Sequence, residues 1–496
     1  MKDVIKEQHK KKKYHAIERI GLLVDPGTFR EMGSKRMNLH TGFGEPFSVD
    51  YDGVIAGRAN IKGKGVFIFS QDFTVKGGTI GKVHGEKIAH IIRMAIDNRS
   101  PIVGIYDSGG ARIEEGIHAL AGCGEILHAN SLASGVIPQI SIIVGPCAGA
   151  AAYSPALTDF VFIVKKIGYM FITGSNVVQS VTGEVCDNES LGGAKIHSTK
   201  SGVADFFEDN EKKCFDEVRR LIDFIPSGYD RLVRWQKTGF EEKDQSKIKK
   251  ILPSNSQKAY DIKDIIDEIV DQDSFIEVSK EFSPSIVVGF SRISSIPVGI
   301  VANQPMVNSG VLDHETSDKA ARFIRFCDCY SIPILTLVDT PGYLPGVEQE
   351  HQGIIRHGAK LIYAYSEATV PKITIVLRKA YGGAYIAMGS KHLNTDYNYT
   401  LKIGEIAVMG AEGAVGILHK KKAGEFEEEE ARKSFLKRKL EEYKKDFMNP
   451  RVALEAGYID EIIKAEDIRR RVYEDLMSLE FKKQRNFPKK HGNMPL

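Results

Sequence analysis

Two adjacent glycines stand where an apolar run gives way to a polar stretch, in RKAYGGAYIAMGSK from Arg378 to Lys391. The run before it, KITIVL, is typical of a buried strand. Glycine weakens a helix by about 1 kcal/mol relative to alanine, so Gly382 and Gly383 need a local reason. One reason is close packing of backbone on backbone. The other is that an oxyanion or phosphate approaches the first N–H groups of a helix, which have no partner within it.

A second turn of this type occurs earlier in the chain. Gly149 follows the strand-like run ISIIVGP in the segment CAGAAAY. Glycine pairs also end other strand-like runs, at Gly77-Gly78 and Gly109-Gly110. Packing alone can explain one such turn, but it explains a repeated pattern less well. Exposed N–H groups at strand-to-helix turns are therefore the first candidate for chemistry.

Short apolar runs alternate with amphipathic stretches along the chain. The strand-like runs are GVFIFSQD, IVGIYDS, ISIIVGP, FVFIVKK, PVGIVANQ, ILTLVDT and KITIVL. Helical stretches are predicted over 111–133 and over 351–368, after the second and sixth of these runs. Strands separated by helices predict an α/β architecture.

The order of landmarks along the chain repeats once, at a nearly constant spacing of 232 to 236 positions. The pairs are Gln71 with Gln304, Asp107 with Asp339, Gly149 with Gly383, and Gly174 with Gly410. A spacing of this length is far above that of solenoid repeats, so it indicates a domain duplication. We predict two homologous domains, 1–256 and 257–496, which meet in the polar region PSNSQKAY.

Composition excludes several classes of protein. The 496 residues carry a formal net charge of +3, too small to suggest nucleic-acid binding, and the basic runs lie near the ends of the chain. No apolar segment reaches the roughly 18 residues that a membrane span needs. Six cysteines without a CxxC pair predict reduced thiols and a cytoplasmic location.

Common catalytic and cofactor motifs are also missing from the sequence. It has no GxxxxGK[ST], no GxGxxG after a strand, no GxSxG and no HExxH. It has no lysine between methionines, the pattern of a biotin acceptor. The 14 histidines are scattered, and His84, His197 and His314 are predicted to be structural, so no metal site is expected. Chemistry in this chain is expected to depend on backbone donors.

Long segments resemble the carboxyltransferase (β) subunits of biotin-dependent acyl-CoA carboxylases, the propionyl-CoA carboxylase β and methylmalonyl-CoA carboxyltransferase family. The resemblance covers nearly the whole chain from about Arg19. The segments that carry it include FSQDFTVKGGTIG, YDSGGARIEEG, VIPQISIIVGPCAGAAAYSPALTDF, MFITGSNVVQSVTGE, GVLDHETSDKAARFIRFCDCYSIPILTLVDTPGYLPG, KITIVLRKAYGGAYIAMGSKHL and EIAVMGAEGAV.

The resemblance implies two crotonase-like domains of ββα units. The N-terminal domain would hold acyl-CoA, and the C-terminal domain would hold biotin carried on a partner chain. The partners would be a biotin carboxylase and a biotin carboxyl carrier, or one α chain that has both. Alternatively, the partner would be a membrane decarboxylase subunit. A homo-hexamer is expected.

The resemblance also implies roles for particular residues. The carboxyl group would move from N1 of carboxybiotin to the α-carbon of a short acyl-CoA, propionyl-CoA and/or acetyl-CoA. The donors would be Gly149 and Ala150 for the acyl-CoA, with biotin on Gly382, Gly383 and Ala384; Gly383 and Ala384 would be its catalytic pair. The loop of Gly109, Gly110, Ala111 and Arg112 would contact the CoA part of the substrate.

The sequence departs from the family pattern at several positions. Ala150 replaces a glycine, and Ser175 and Asn176 replace Pro-Asp. Ile386 stands where family members strict for propionyl-CoA tend to have aspartate, which predicts an enzyme that also accepts acetyl-CoA. An apolar wall discriminates one methylene by only about 1–3 kcal/mol.

Other interpretations remain open from the sequence. The chain could serve a methylmalonyl-CoA decarboxylase or a transcarboxylase, which use the same half-reaction. It could instead be a crotonase-fold hydratase or isomerase that works without biotin, or a non-catalytic scaffold. A hydratase needs paired glutamates at its site, and the adjacent Glu114 and Glu115 are expected to face different sides of a helix.

Overall fold

The computed structural model describes residues 2–39, 51–231, 235 and 239–496. The chain forms two compact units, Met1–Val233 with Ser279–Phe282, and Arg234–Val278 with Ser283–Leu496. The domain boundary placed between residues 256 and 257 stays a prediction.

The first unit contains one eight-stranded sheet and nine helices within the described residues. Its strands are β1 Arg30–Glu31, β2 Val54–Ile61, β3 Lys64–Gln71, β4 Ile102–Ser108, β5 Gln139–Ala148, β6 Phe160–Val164, β7 Tyr169–Phe171 and β8 Phe206–Glu208. Its helices are α1 Lys2–Lys10, α2 Ala16–Leu23, α3 Lys82–Asp97, α4 Ile117–Ala133, α5 Ala150–Ala156, α6 Ser175–Thr182, α7 Asn188–Gly192, α8 Ala194–Thr199 and α9 Glu211–Phe224.

The second unit repeats this plan with a second eight-stranded sheet. Its strands are β9 Ile276–Val278, β10 Ile286–Ile293, β11 Ile296–Asn303, β12 Ile334–Thr340, β13 Lys372–Tyr381, β14 Tyr397–Leu401, β15 Glu405–Ala407 and β16 Glu461–Ile463. Its helices are α10 Ile248–Ile251, α11 Ile262–Ile269, α12 His314–Cys329, α13 Val347–His351, α14 Ile354–Glu367, α15 Gly382–Ala387, α16 Ala411–Leu418, α17 Lys420–Ala423, α18 Glu429–Tyr443, α19 Pro450–Glu455 and α20 Ile468–Ser478.

The two sheets have the same strand order. The first runs β1-β2-β3-β4-β5-β6-β8 with β7 beside β5, and the second runs β9-β10-β11-β12-β13-β14-β16 with β15 beside β13. In each sheet the first three strands are antiparallel and the rest are parallel. The predicted α/β class and the duplicated pattern are confirmed at the level of topology.

Burial explains why the central strands read as unbroken apolar runs. Every residue of β4 and of β12 is buried, as in parallel strands that are covered on both faces. The helices that follow are anchored by side-chain caps in some cases. Asp313 accepts the N–H of Thr316 and begins α12 with a capping box, the side chain of Thr316 accepting the N–H of Asp313 in return.

Glycines interrupt two of the predicted helices near their starts. The helix predicted from residue 111 begins at Ile117, because Ala111 pairs in a bridge with Ile80 and Gly116 has a φ of +54°. The helix predicted from residue 351 is broken at Gly353, whose φ is +82°, and its long part begins at Ile354. In both places a glycine in the left-handed region interrupts the helix, and apolar periodicity does not reveal this.

Candidate active site

The turn at Gly149 joins β5 to α5. Gly149 has a φ of +60°, a backbone conformation that favours glycine. Its N–H donates to the carbonyl of Phe171 at 3.0 Å. The N–H of Ala150 is the first of the helix and has no acceptor within it. Of the two donors predicted here, Gly149 shapes the turn, and Ala150 offers an N–H at the helix start.

The turn at Gly382 joins β13 to α15 in the second unit. Gly382 has a φ of +57°, close to that of Gly149. Since β13 begins 233 positions after β5, Gly382 is the counterpart of Gly149, and Gly383 is the counterpart of Ala150. The landmark pairing of Gly149 with Gly383 is therefore wrong by one residue, because the strands that lead into the two turns are offset by 233 positions and not by 234.

The second turn is open beside Gly383. A Cβ there would meet only the Tyr343 ring, at 3.8 Å, which is ordinary contact. The residue before the turn is fixed, because the Tyr381 hydroxyl donates to the Glu405 carboxylate. Burial, together with this carboxylate, raises the pKa of Tyr381. The chain is therefore held on one side of the turn and approachable on the other.

An exposed apolar residue stands next to each turn. Ile172 in the first unit is 55% exposed, and Val408 in the second is 78% exposed. Their carbonyl oxygens lie 3.7 Å and 3.1 Å from the Cβ positions of Gly149 and Gly382, respectively. Ile386, the predicted specificity residue, lies one turn into α15 and is 41% exposed.

The loop of Gly109, Gly110 and Ala111 lies against the end of β5. A Cβ on Gly110, whose φ is +101°, would lie 2.8 Å from the Ala148 carbonyl oxygen. The Ile80 N–H donates to the Gly110 carbonyl at 2.8 Å. The structure therefore brings this loop next to the turn at Gly149, the other predicted acyl-CoA element.

The side chain of Arg112 is fully buried, which the sequence did not indicate. Its Nη1 lies 2.6 Å from Asp52 and 2.7 Å from Glu115. Its Nη2 donates to the carbonyl of Thr79 at 2.8 Å. Burial raises the pKa of Asp52, although Arg112 opposes this. The guanidinium holds the loop from inside, and any contact of Arg112 with a ligand would have to come from its backbone.

Two buried ion pairs behind the turns were missed by the sequence reasoning. Asp107 at the end of β4 is paired with Arg19, and Asp339 at the end of β12 is paired with Arg378. Both aspartates are landmarks of the repeated sequence pattern. Their repetition could have indicated the ion pairs, because a charged residue at the end of a buried apolar strand needs a partner of opposite charge.

In the part of the chain that the structure describes, no cluster of three or more His, Cys, Asp or Glu side chains could hold a metal ion. No described helix combines the length and the apolar character needed to cross a membrane. The histidines predicted to be structural have hydrogen-bond partners, which are the Asp52 carbonyl for His84, the Met170 carbonyl for His197 and Gln349 for His314.

Comparison with known proteins identifies the family. The sequence model of the carboxyl transferase domain matches residues 7–494. The chain belongs to the carboxyl transferase family. It is 48% identical to the propionyl-CoA carboxylase carboxyltransferase subunit of Haloferax mediterranei, over 100% of this chain and 96% of that protein. It is 46% identical to the methylmalonyl-CoA decarboxylase subunit alpha of Propionigenium modestum, over 99% and 95% of the two chains.

A solved structure gives the same result. The transcarboxylase 12S structure, a hexamer with methylmalonyl-coenzyme A bound, superimposes with a TM-score of 0.96 at 44% identity. The superposition covers 100% of this chain and 94% of the transcarboxylase chain. The predicted crotonase-like fold and the resemblance to the biotin-dependent acyl-CoA carboxyltransferases are confirmed. Membership of the carboxyl transferase family makes the chain an enzyme of carboxyl transfer, which excludes the hydratase and scaffold interpretations.

Proposed function

We propose that this carboxyl transferase is the subunit of an acyl-CoA carboxylase that moves a carboxyl group to the α-carbon of a short acyl-CoA. Propionyl-CoA and acetyl-CoA are the proposed substrates. The observation that carries the proposal is the pair of equivalent strand-to-helix turns, at Gly149 and Gly382. The names of the relatives, which include propionyl-CoA carboxylase and transcarboxylase, support the same reaction.

In the first unit the turn at Gly149 is the proposed acyl-CoA site. When the α-carbon of the thioester loses a proton, negative charge develops on the carbonyl oxygen. The N–H of Ala150 is placed to stabilise that charge, and losing one such donor typically costs about 3–4 kcal/mol. The loop of Gly109, Gly110 and Ala111 lies beside this turn and is proposed to hold the CoA part. Arg112 would act by keeping that loop in place.

In the second unit the turn at Gly382 is the proposed biotin site. Bound biotin supplies the carboxyl group from N1 of its ring urea. The residues fit that group because there is open space beside Gly383: a Cβ built there would lie 3.8 Å from the Tyr343 ring and would meet nothing else within 4 Å. The N–H groups of Gly383 and Ala384 lie in the first helical turn, where they can donate to the ureido oxygen.

Partners and assembly follow from the same proposal. Biotin would arrive on a carrier that belongs to a biotin carboxylase partner, since this chain has no biotin-acceptor pattern. A homo-hexamer is proposed because the transcarboxylase 12S relative is a hexamer. A cytoplasmic location is proposed because all six cysteines are free.

The test is carboxyl transfer by the purified chain with methylmalonyl-CoA and free biotin. We expect propionyl-CoA to form only when biotin is present, and we expect no turnover of ATP by the chain alone. Omission of biotin is the control for slow hydrolysis or decarboxylation. Formation of propionyl-CoA at the same rate without biotin, or ATP hydrolysis by the pure chain, would contradict the proposal.

A second candidate keeps this half-reaction and changes the complex. The relative from Propionigenium modestum, a methylmalonyl-CoA decarboxylase subunit, is 46% identical, nearly as similar as the carboxylase relative. The chain would then work with a membrane decarboxylase subunit. Purification of the native complex decides between the two, because a biotin carboxylase chain supports the first candidate and a membrane subunit supports the second.

A further inference from the structure

A polar cavity of about 530 Å³ lies in the first unit, away from the turns discussed above. Its lining includes Phe67, near the start of β3, and Ser100, just before β4. Gly109 and Gly149 follow the other ends of β4 and β5. Because β3, β4 and β5 are parallel, the cavity lies at the amino ends of the strands and the turns lie at the carboxyl ends.

One face of the sheet forms the floor of this cavity. Arg58 on β2 pairs in register with Arg30 on β1 and with Phe67 on β3. Asn60 lies two residues after Arg58, on the same face, and pairs in register with Gly65. All five residues line the cavity.

The floor brings two like charges together. Arg30 and Arg58 are directly opposite on an antiparallel pair of strands, an arrangement that destabilises a sheet. Arg231 adds a third guanidinium from the wall. No acidic residue is among the described residues that line the cavity, and the three arginines form no ion pair with any described residue. Nη1 of Arg30 donates to the carbonyls of Gly27 and Phe29, and no carboxylate among the described residues accepts from it.

We propose that this cavity binds a small, multiply charged oxyanion, of which a phosphate group is the simplest example. Three guanidinium groups present forks of N–H donors that match phosphate and carboxylate oxygens. Such an anion removes the repulsion between Arg30 and Arg58. The cavity volume lies within the range of small-molecule sites. This binding site is independent of the proposed carboxyl transfer.

The test uses the full chain and titrates inorganic phosphate, pyrophosphate and citrate at constant ionic strength by calorimetry. We expect saturable binding with one site per chain. Arg58→Gln removes the central guanidinium and is expected to weaken binding at least tenfold. Carboxyl transfer with saturating substrates is expected to be unchanged in this variant, because the cavity lies at the opposite strand ends.

A second variant closes the cavity without changing its charge. A Cβ on Gly65 would have only Asn60 Oδ1 within 4 Å, at 3.9 Å, so Gly65→Val is accommodated by the strand and fills the cavity. It is expected to weaken binding as Arg58→Gln does. Arg220→Gln, which removes an arginine of the same unit outside the cavity, is the control and is expected to bind like the wild type.

The opposite results would overturn the proposal. An equal loss of binding in Arg220→Gln would show that the anions respond only to overall charge. Unchanged binding in both Arg58→Gln and Gly65→Val would place any anion elsewhere. Binding of an acidic peptide without saturable binding of the three small anions would assign the cavity to a protein partner instead.

Discussion

A buried aspartate ends the equivalent strand of each sheet, Asp107 in β4 and Asp339 in β12, but the two carboxylates are neutralised from different places. Arg19 Nη1 and Lys13 Nζ, from the N-terminal segment of the chain, lie 2.9 Å and 2.7 Å from Asp107. Asp339 is neutralised within its own sheet, by Arg378 Nε at 2.7 Å and the Lys379 backbone N–H at 3.2 Å.

The neighbouring strand explains the difference. The counterpart of Arg378 is Gly145, where a Cβ would lie 1.8 Å from the Asp107 carboxylate oxygen, so no side chain fits. The counterpart of Lys379 is Pro146, which has no N–H to donate. The first unit therefore depends on cations from outside its sheet, whereas the second supplies them from the strand that leads into the turn at Gly382.

The largest expected effect comes from removing the internal cation of the second unit. Arg378→Leu removes the cation that lies 2.7 Å from the buried Asp339, and breaking a buried pair in this way costs about 3–5 kcal/mol. The single tryptophan, Trp235, packs against the core of the second unit and reports on its unfolding. We expect its fluorescence transition to move to a much lower urea concentration.

Two further variants control this experiment. Arg378→Leu with Asp339→Asn removes the unpaired charge and is expected to recover much of the lost stability. Lys13→Met in the first unit leaves Arg19 on Asp107, and it is expected to cost only about 1–2 kcal/mol. That loss should appear in circular dichroism and leave the Trp235 transition in place. If Arg378→Leu and Lys13→Met shifted the Trp235 transition by the same urea concentration, the proposed difference between the units would be contradicted.

The next effect concerns the equivalent donors Ala150 and Gly383. Gly383→Ala gives the second turn the residue that the first already has, and its methyl would only contact the Tyr343 ring. If the ureido oxygen must approach this N–H, transfer to free biotin is expected to fall about tenfold to a hundredfold, up to the cost of one oxyanion donor. The KM for biotin should rise while that for methylmalonyl-CoA stays constant.

The reverse exchange in the first unit is the matched control. Ala150→Gly removes a methyl from the turn that is proposed to hold the thioester. We expect transfer to change by less than about threefold, since the backbone N–H is retained. A large loss of transfer activity in Ala150→Gly, together with no loss in Gly383→Ala, would contradict the proposal that only the second turn requires glycine.

A pH effect is expected to separate the units further. Burial raises the pKa of Asp475, on α20 of the second unit, to about 6, although the Tyr399 hydroxyl bonds to it at 2.8 Å. A raised pKa means that the group stabilises the fold below its ordinary value of 3.8, and that this contribution is lost as the pH rises through 6.

Asp475→Asn tests this expectation. In the variant, the urea midpoint of the Trp235 transition should change less with pH between pH 4 and 7 than in the wild type. At pH 7.5 this midpoint should lie at a higher urea concentration than in the wild type. In the first unit, burial tends to raise the pKa of Asp72, but bonds from His15, Thr74 and Tyr51 together lower it to about 2. That contribution is lost only as the pH falls from 3.8 through 2. An unchanged pH profile in Asp475→Asn would contradict the expectation.

The smallest effect is expected at Ile386, whose counterpart in the first unit, 233 positions earlier, is Tyr153. Wild type should use acetyl-CoA as well as propionyl-CoA, with a preference no larger than about 1–3 kcal/mol for one methylene. Ile386→Asp should shift the ratio of kcat/KM between acetyl-, propionyl- and butyryl-CoA. Ile355→Asp, an exposed isoleucine on α14, is the control. A wild-type preference above roughly a thousandfold, or no shift in the variant, would contradict the role of Ile386.

The sequence by itself determined seven of the sixteen described strands, the duplication and the family. Unbroken apolar runs such as ILTLVDT can only be buried on both faces, and long motifs in a fixed order leave few alternatives for the family. Local patterns of this kind depend on neighbouring residues, so they can be read along the chain.

Only the tertiary structure decided which donors and charges meet. Gly149 was predicted to donate, yet its N–H is taken by Phe171, a residue 22 positions away on another strand. Arg112 is predicted to contact the CoA part of the substrate, and its side chain is buried against Asp52 and Glu115. The pairing of Arg19 with Asp107 joins residues 88 positions apart. Such contacts depend on φ angles and strand register, which set whether a polar group faces a neighbouring residue or stays open to a ligand at the turn.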